Sequence, residues 1–479
     1  MRGEPVVLKE FDGHYPQTAD GRIPDNGFRN LQNMLVTNKG TLRTRVGFRR
    51  ETGTTTYDSG TMLGLWTTAA GIYRLVATHA SGVSLFDSAA GDIDTPTAIE
   101  AQLLLQFSDK AYLFREVTTN IRTWDDTTLT TTSVAVNANV GIVHKHRMFV
   151  ANNASSGVSR SQLRYSEIMD AVSPDTVGGW PSTNTIDIGS EDADFITAVA
   201  LLNDTLFVFK RFSTWVVYVE GDPSWTVRQV HPTLGCVGRD TVVSIGGLLY
   251  FRSATGVYRT DGTTFELISL PVKEVFDAQP PFSYLFCNNR SAVWHGEYYI
   301  INDGFTTGWQ VYNIETGAWS NFLATISHSR LISLEDFSPP RTMFLEYSST
   351  GRVNKYEELN GYGDLDGSTA VNGVLDAKEY DLDASANYKQ VREVNVEISQ
   401  VSSASYGVTF SQFNENGSQL VYGNSFQTVD GVNRKLYRYR GIGKCRIWSF
   451  LMLVPCTHDV EINQILIDVK PVGRVGVAN

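Results

Sequence analysis

The stretch Thr241–Ser269 reads TVVSIGGLLYFRSATGVYRTDGTTFELIS. It predicts four short strands. Gly246-Gly247 separates Thr241–Ile245 from Leu248–Arg252. Ala254-Thr255-Gly256 separates that strand from Val257–Thr260, and Asp261-Gly262 turns the chain into Thr264–Ile268. Gly-Gly and Asp-Gly supply the positive φ angles of tight hairpin turns. Val, Ile, Leu, Tyr, Phe and Thr between them suit a pleated, half-buried surface. Four antiparallel strands in a row form one blade of a β-propeller. A lone blade cannot bury both faces, so more of its kind are expected nearby.

Working outward, the second strand of the unit recurs. It reads Ile72-Tyr73-Arg74-Leu75, Ala111-Tyr112-Leu113-Phe114, Arg147-Met148-Phe149-Val150 and Thr205-Leu206-Phe207-Val208-Phe209. It returns at Leu248-Leu249-Tyr250-Phe251, Glu297-Tyr298-Tyr299-Ile300 and Thr342-Met343-Phe344-Leu345. These lie roughly 36 to 58 residues apart, around the ~40–50 typical of propeller blades. The fold class is therefore all-β, with about seven four-stranded blades over residues 57–360. A long insertion, Asn152–Asp194, precedes the fourth unit and reads as a surface loop. The short helical candidates are Leu270–Ala278 and Ser166–Ala171.

Beyond a Gly/Asp linker at Asn360–Gly367, longer alternating strands appear at Val391–Val401, Tyr406–Phe413, Lys435–Arg440, Cys445–Val454 and Val460–Lys470. They predict a β-sandwich-like platform module over residues 361–479. Val394, Val396 and Ile398 share one face, and Asn395, Glu397 and Ser399 the other. Residues 1–56 form a turn-rich extended arm, expected to pack on the C-terminal module or to close the propeller.

The 479 residues are 42% hydrophobic, enough for substantial cores, and 19% charged, too few for long disordered tails. The net charge of −11 opposes general nucleic-acid binding. It suits a surface that DNA passes without specific binding. The four cysteines lack zinc spacing; a pairing of Cys445 with Cys456 stays open. No apolar run is long enough for a signal peptide or a membrane span.

Candidate chemistry is sparse. His144-Lys145-His146 places two imidazoles on one strand face but lacks a third ligand. Asp364-Leu365-Asp366-Gly367 misses the full calcium-loop pattern. Glu191, Asp192 and Asp194 form an acidic cluster, either a lumen or loop face or a carboxylate pair for glycosidic chemistry. No catalytic residue, cofactor or metal is assigned. Arg43, Arg45, Arg49 and Arg50 make the end of the arm basic. Arg434, Lys435, Arg438, Arg440, Lys444 and Arg446 make part of the C-terminal module basic. Each set is either a docking face or a solvated strand.

The chain resembles the tail nozzle, or tail hub, proteins of short-tailed bacteriophages. The likeness rests on NMLVTNKGTLRTRVGF (Asn33–Phe48), on Gln162–Gly221, and on GLLYFRSATGVYRTDGTTFELIS (Gly247–Ser269). The resemblance implies a non-enzymatic virion protein made in the host bacterial cytoplasm. It implies a homo-oligomer, a hexameric ring below the tail adaptor and portal that contacts fibre, spike or needle proteins. Such a ring extends the DNA channel, retains packaged DNA and conducts it during ejection, without inserting into a membrane. The competing reading is a glycan-binding or glycan-cleaving propeller protein.

Overall fold

The computed structural model describes residues 5–474 except 17–18, 20–21, 48, 51–61, 68–72, 80–81, 88–90, 96–100, 117–119, 126–127, 153–156, 169–171, 220–224, 278–289, 303–307, 324–327, 335–340, 347–352, 358–370, 382–386, 401–405, 417–418, 427–433 and 457–458. Within these residues the chain is all-β. Seven four-stranded antiparallel blades follow one another from Met62 to Glu357. The first strand of each blade lies beside the first strand of the next, and that of blade 7, His328–Leu334, returns to that of blade 1, Met62–Thr67. The ring is therefore closed, with these strands innermost.

The blade quoted above is blade 5, with strands Val243–Ile245, Leu248–Ser253, Gly256–Thr260 and Phe265–Leu267. Gly246 and Gly247 carry φ of 58° and 80° in its first turn, the left-handed geometry a two-residue hairpin loop requires. Tyr250 and Val257 are buried toward blade 6, in a cluster with Tyr299, Tyr312 and Trp319. Leu249 and Phe251 point the other way, into a cluster with Phe207, Phe209 and Val216 of blade 4. This is the period-2 alternation of a strand buried on both faces. Each blade is apolar on both sides because it is sandwiched between two others.

Two features depart from the sequence reading. Asn152–Asp194 is not an insertion ahead of blade 4. It contains the two outer strands of blade 3, Gln162–Tyr165 and Thr185–Asp187. The excursion between them folds back on blade 2. Trp180 is buried against Phe114 (ring centroids 6.1 Å apart), and Asp175 accepts from Lys110 Nζ at 2.7 Å and Tyr112 Oη at 2.8 Å. Ser166–Ala171 does not form a helix in its described part, whereas Lys273–Asp277 does, after a 3-10 turn at Leu270–Val272.

Beyond the propeller two sheets pack face to face. One runs Arg434–Cys445, Asn387–Gln400, Val460–Arg474, Leu42–Thr44 and Met34–Val36, with Val6–Leu8 also paired to Val460–Arg474. The other includes Asn372–Ala377, Trp448–Pro455, Tyr406–Asn414 and Gln419–Phe426. Val394, Val396 and Ile398 from the first meet Phe410, Trp448 and Phe450 from the second in one core. Cys445 and Cys456 are buried free thiols. Cys456 instead donates from Sγ to the Asn33 carbonyl.

The arm joins these parts. Arg49–Arg50 pairs with Val353–Glu357 and completes blade 7 as its outermost strand. Gly13–His14 and Gly27–Gln32 run parallel to Trp319–Leu323, the outer strand of blade 6. Gly27–Gln32 then pairs with Asn372–Ala377 of the sandwich. A single ten-stranded sheet thus runs from the propeller into the C-terminal module. Asn33 sits at this junction. Its backbone N–H donates to Asn321 O (2.7 Å), its Nδ2 donates to Asn372 O (2.9 Å), and its Oδ1 accepts from Leu323 N (3.0 Å) and Arg45 Nε (2.9 Å). Asn tolerates the left-handed φ of 57° found here.

Candidate functional site

The sequence-selected residues fall into three groups, which the fold separates. The acidic trio lies where the chain enters blade 4. Ser190–Asp192 is a 3-10 turn. Asp192 pairs with the fully buried Lys210 ammonium at 2.5 Å, and that ammonium also donates to Gly189 O at 2.7 Å. Asp194 is buried; its Oδ1 accepts from Phe195 N and its Oδ2 from Phe212 N, each at 2.9 Å. Both carboxylates therefore tie this entry loop to the turn after Thr205–Lys210. Only Glu191 of the three is exposed without such bonds among the described residues. A pair poised for glycosidic acid–base work needs two carboxyls facing substrate, and the trio does not supply them.

Arg43 and Arg45 of the arm are both engaged within the chain, Arg45 buried and Arg43 about a third exposed. Arg43 makes a two-pronged contact with Asp459, from Nε to Oδ1 and Nη2 to Oδ2, both at 3.0 Å. Arg45 is fully buried; beyond Asn33 it donates to Val46 O (2.8 Å) and Leu323 O (3.1 Å) and stacks over Phe322. The docking expectation for Arg43 and Arg45 does not fit this placement. In sequence both looked like strand-edge charges, because nothing local reveals acceptors more than 250 residues away.

Of the C-terminal basic residues, Arg438, Arg440 and Lys444 reach a surface. Arg434 and Lys435 open the strand Arg434–Cys445, which among the described residues has a strand neighbour on one side only, Asn387–Gln400. Arg438 lies opposite Asn395 and Arg440 opposite Glu393. Arg438, Arg440 and Lys444 are exposed, while Tyr439 between them is buried. Arg438 is 3.9 Å from Glu393, a loose contact on an open surface. Arg446 is instead held by Glu415, which also accepts its backbone N–H at 3.0 Å.

His144-Lys145-His146 is not a metal pair on one strand face. Lys145 and His146, at φ of 45° and 57°, form the turn between Val140–His144 and Arg147–Ala151. His144 is buried, and burial lowers its pKa; His146 is exposed. Among the described residues no cluster of three or more His, Cys, Asp or Glu is placed to hold a metal ion. The candidate Asp364–Gly367 loop lies outside the described residues.

One concavity went unnoticed in the sequence because its walls come from two blades. A groove of about 350 Å³ lies between blades 4 and 5. Phe207 and Val216 form its floor, Tyr218 and Arg228 one wall, and the Asp261–Thr263 turn the other.

No family model matches the chain, and no curated protein does. Several solved structures are similar in fold. Streptogramin B lyase is 8% identical over 65% of this chain and 97% of its own, with a TM-score of 0.44. The β-propeller domain of Cps50 (Swd1) from Myceliophteria thermophila is 10% identical over 65% of this chain and 99% of its own, with a TM-score of 0.41. What this chain shares with them is the all-β propeller architecture alone.

Proposed function

We propose that the chain is a structural subunit of a short-tailed phage tail, a nozzle or hub protein that assembles as a ring and continues the DNA channel below an adaptor. The observation that carries this reading is the arm. It closes blade 7, lines blade 6 and enters the sandwich, so propeller and platform act as one hydrogen-bonded frame. A piece that keeps its shape under load favours service in an assembly. The net charge of −11 supports passage of DNA without adhesion, since phosphate binding needs a cationic surface. The resemblance of Asn33–Phe48, Gln162–Gly221 and Gly247–Ser269 to such tail proteins supports the same role.

The test is mass measurement with negative-stain imaging of the purified protein, alone and with its adaptor. A six-fold ring is expected; a stable monomer under both conditions overturns the proposal. The exposed basic strand is the face proposed to meet a neighbour. Arg438→Glu with Arg440→Glu is expected to weaken ring or adaptor association by roughly tenfold or more, as reversal of contacting charges does. The monomer's melting temperature should hold, because both side chains are exposed. Sedimentation velocity reads the association, and unaltered assembly removes this face from the interface.

A further inference from the structure

The Asp261-Gly262 turn of blade 5 does more than reverse the chain. It forms one wall of the groove described above, facing strands Thr214–Tyr218 and Thr226–His231 of blade 4. The floor is apolar: Phe207 and Val216 are both nearly fully buried beneath it. Gly262 keeps that floor open. Its φ is +94°, and a Cβ there would sit 3.0 Å from Phe207 Cζ, so a side chain at this position would press on the floor as well as strain the turn.

Around the floor stand polar groups of both kinds. Asp261 Oδ1 accepts from the backbone N–H of Thr264 (2.7 Å) and of Thr263 (2.8 Å), and from Thr263 Oγ1 (2.8 Å). These donors, with the Thr264 hydroxyl, hold its carboxyl well below the usual carboxylate range, so it is a fixed, ionised acceptor. Across from it, Arg228 neighbours Val216 in the next strand. Neither the Arg228 guanidinium nor the Tyr218 hydroxyl makes a side-chain hydrogen bond or ion pair among the described residues. One fixed anion and one cation leave the rim without a net charge. A free anion meets the carboxylate and a free cation meets the guanidinium, so neither is favoured. The complementary ligand is neutral, has an apolar face for the floor, and carries alternating donors and acceptors on its edge. A hydroxylated sugar ring has that form, and the groove's size is within the usual range of small-ligand sites.

We propose that the groove between blades 4 and 5 binds a neutral sugar unit of a saccharide, with Tyr218 against the ring face and Arg228, Asp261 and Thr263 bonding its hydroxyls. The site stands whether or not the chain forms a ring. Saturation-transfer NMR on the full chain tests it, with the methyl glycosides of N-acetylglucosamine, galactose and rhamnose as probes and glucuronic acid, glutamate and lysine as charged controls. At least one neutral glycoside is expected to bind in the millimolar range and to outcompete the charged controls. Arg228→Ala, an exposed change, is expected to weaken that binding by roughly tenfold, the effect of losing one good polar contact. Thr263→Trp should fill the groove and abolish the signal. Thermal midpoints confirm that both variants are folded. No transfer from any neutral glycoside, tighter binding of a charged control, or full binding by the Thr263→Trp variant overturns the proposal.

Discussion

Replacing Arg45 by Met is expected to cost about 3–5 kcal/mol of stability, because three acceptors, two of them buried, lose a charged donor at once. Those acceptors are Asn33 Oδ1, Val46 O and Leu323 O. The Arg45 side chain is fully buried, and its bonds to Asn33 and Val46 are buried while that to Leu323 is partly so. Methionine fills the volume of the stem but offers no donor. Lysine should fail almost as badly, since a single ammonium cannot reproduce a planar guanidinium's geometry. Because Asn33 also holds Asn321, Leu323 and Asn372, the damage should spread to the seam between propeller and sandwich. The measurement is the urea midpoint of the Arg45→Met variant beside the parent chain. A change below about 1 kcal/mol, the level of an ordinary surface substitution, would show that this arginine is not the brace described here.

The second large effect is acid lability above the range where carboxylates titrate. His14 and His295 are deeply buried, and burial pulls each imidazole down to about 4. Each works as a neutral ring. His14 Nδ1 accepts the Leu31 N–H at 3.1 Å within the arm, and His295 Nδ1 shares a hydrogen bond of 3.0 Å with Thr342 Oγ1 between blades 6 and 7. In the unfolded chain both protonate near 6.5, so below that pH the unfolded state binds more protons than the folded one. The stability they contribute is fully present above about pH 6.5 and is lost as pH falls toward 4. The magnitude is about 3 kcal/mol for each ring, taking about 1.4 kcal/mol per unit. Urea midpoints from pH 7.5 down to 4.5 should fall steeply. A His14→Gln, His295→Gln double variant should flatten that fall, since Gln has an acceptor and no charge. A parent chain whose midpoint is level over this range would contradict the assignment. Asp261 and Glu415, whose carboxyls are held low, add stability that is present at neutral pH and is lost only at more acidic pH.

Much of the propeller is legible in single strands. The seven aromatic or aliphatic markers from Tyr73 to Leu345 all fall in the second strand of a blade. They can be read because that strand is buried on both faces and so carries an unbroken apolar run, 148–151 in Arg147–Ala151 and 298–301 in Tyr298–Asn302. The closing strand Arg49–Arg50 has two residues, too few for any periodicity to show. Asn372–Ala377 carries Asn, Gly and Asp and follows the Gly/Asp linker, so its strand character comes from its neighbours, Gly27–Gln32 and Trp448–Pro455. The acidic trio and the arm arginines misled for one shared reason. A charged residue in sequence carries no mark of a distant buried partner such as Lys210, Asp459 or the Leu323 carbonyl. The groove was illegible for the converse reason, since Arg228 and Asp261 are ordinary surface residues until two blades bring them to one cleft.

The arm also sets the order of events during synthesis. Val6–Leu8 pairs with Ile465–Ile467, Leu42 with Ile462, and Arg49–Arg50 with Asn354 and Lys355. Residues 6–8 thus wait for partners made roughly 20–90 s later at ~5–20 residues per second. Until then Val6–Leu8 has no partner strand and the sandwich cannot close, whereas the blade ring can close once Val353–Glu357 has emerged. A nascent chain cut short before Val460 therefore leaves the sandwich unfinished, and chaperone binding should concentrate on this long waiting period.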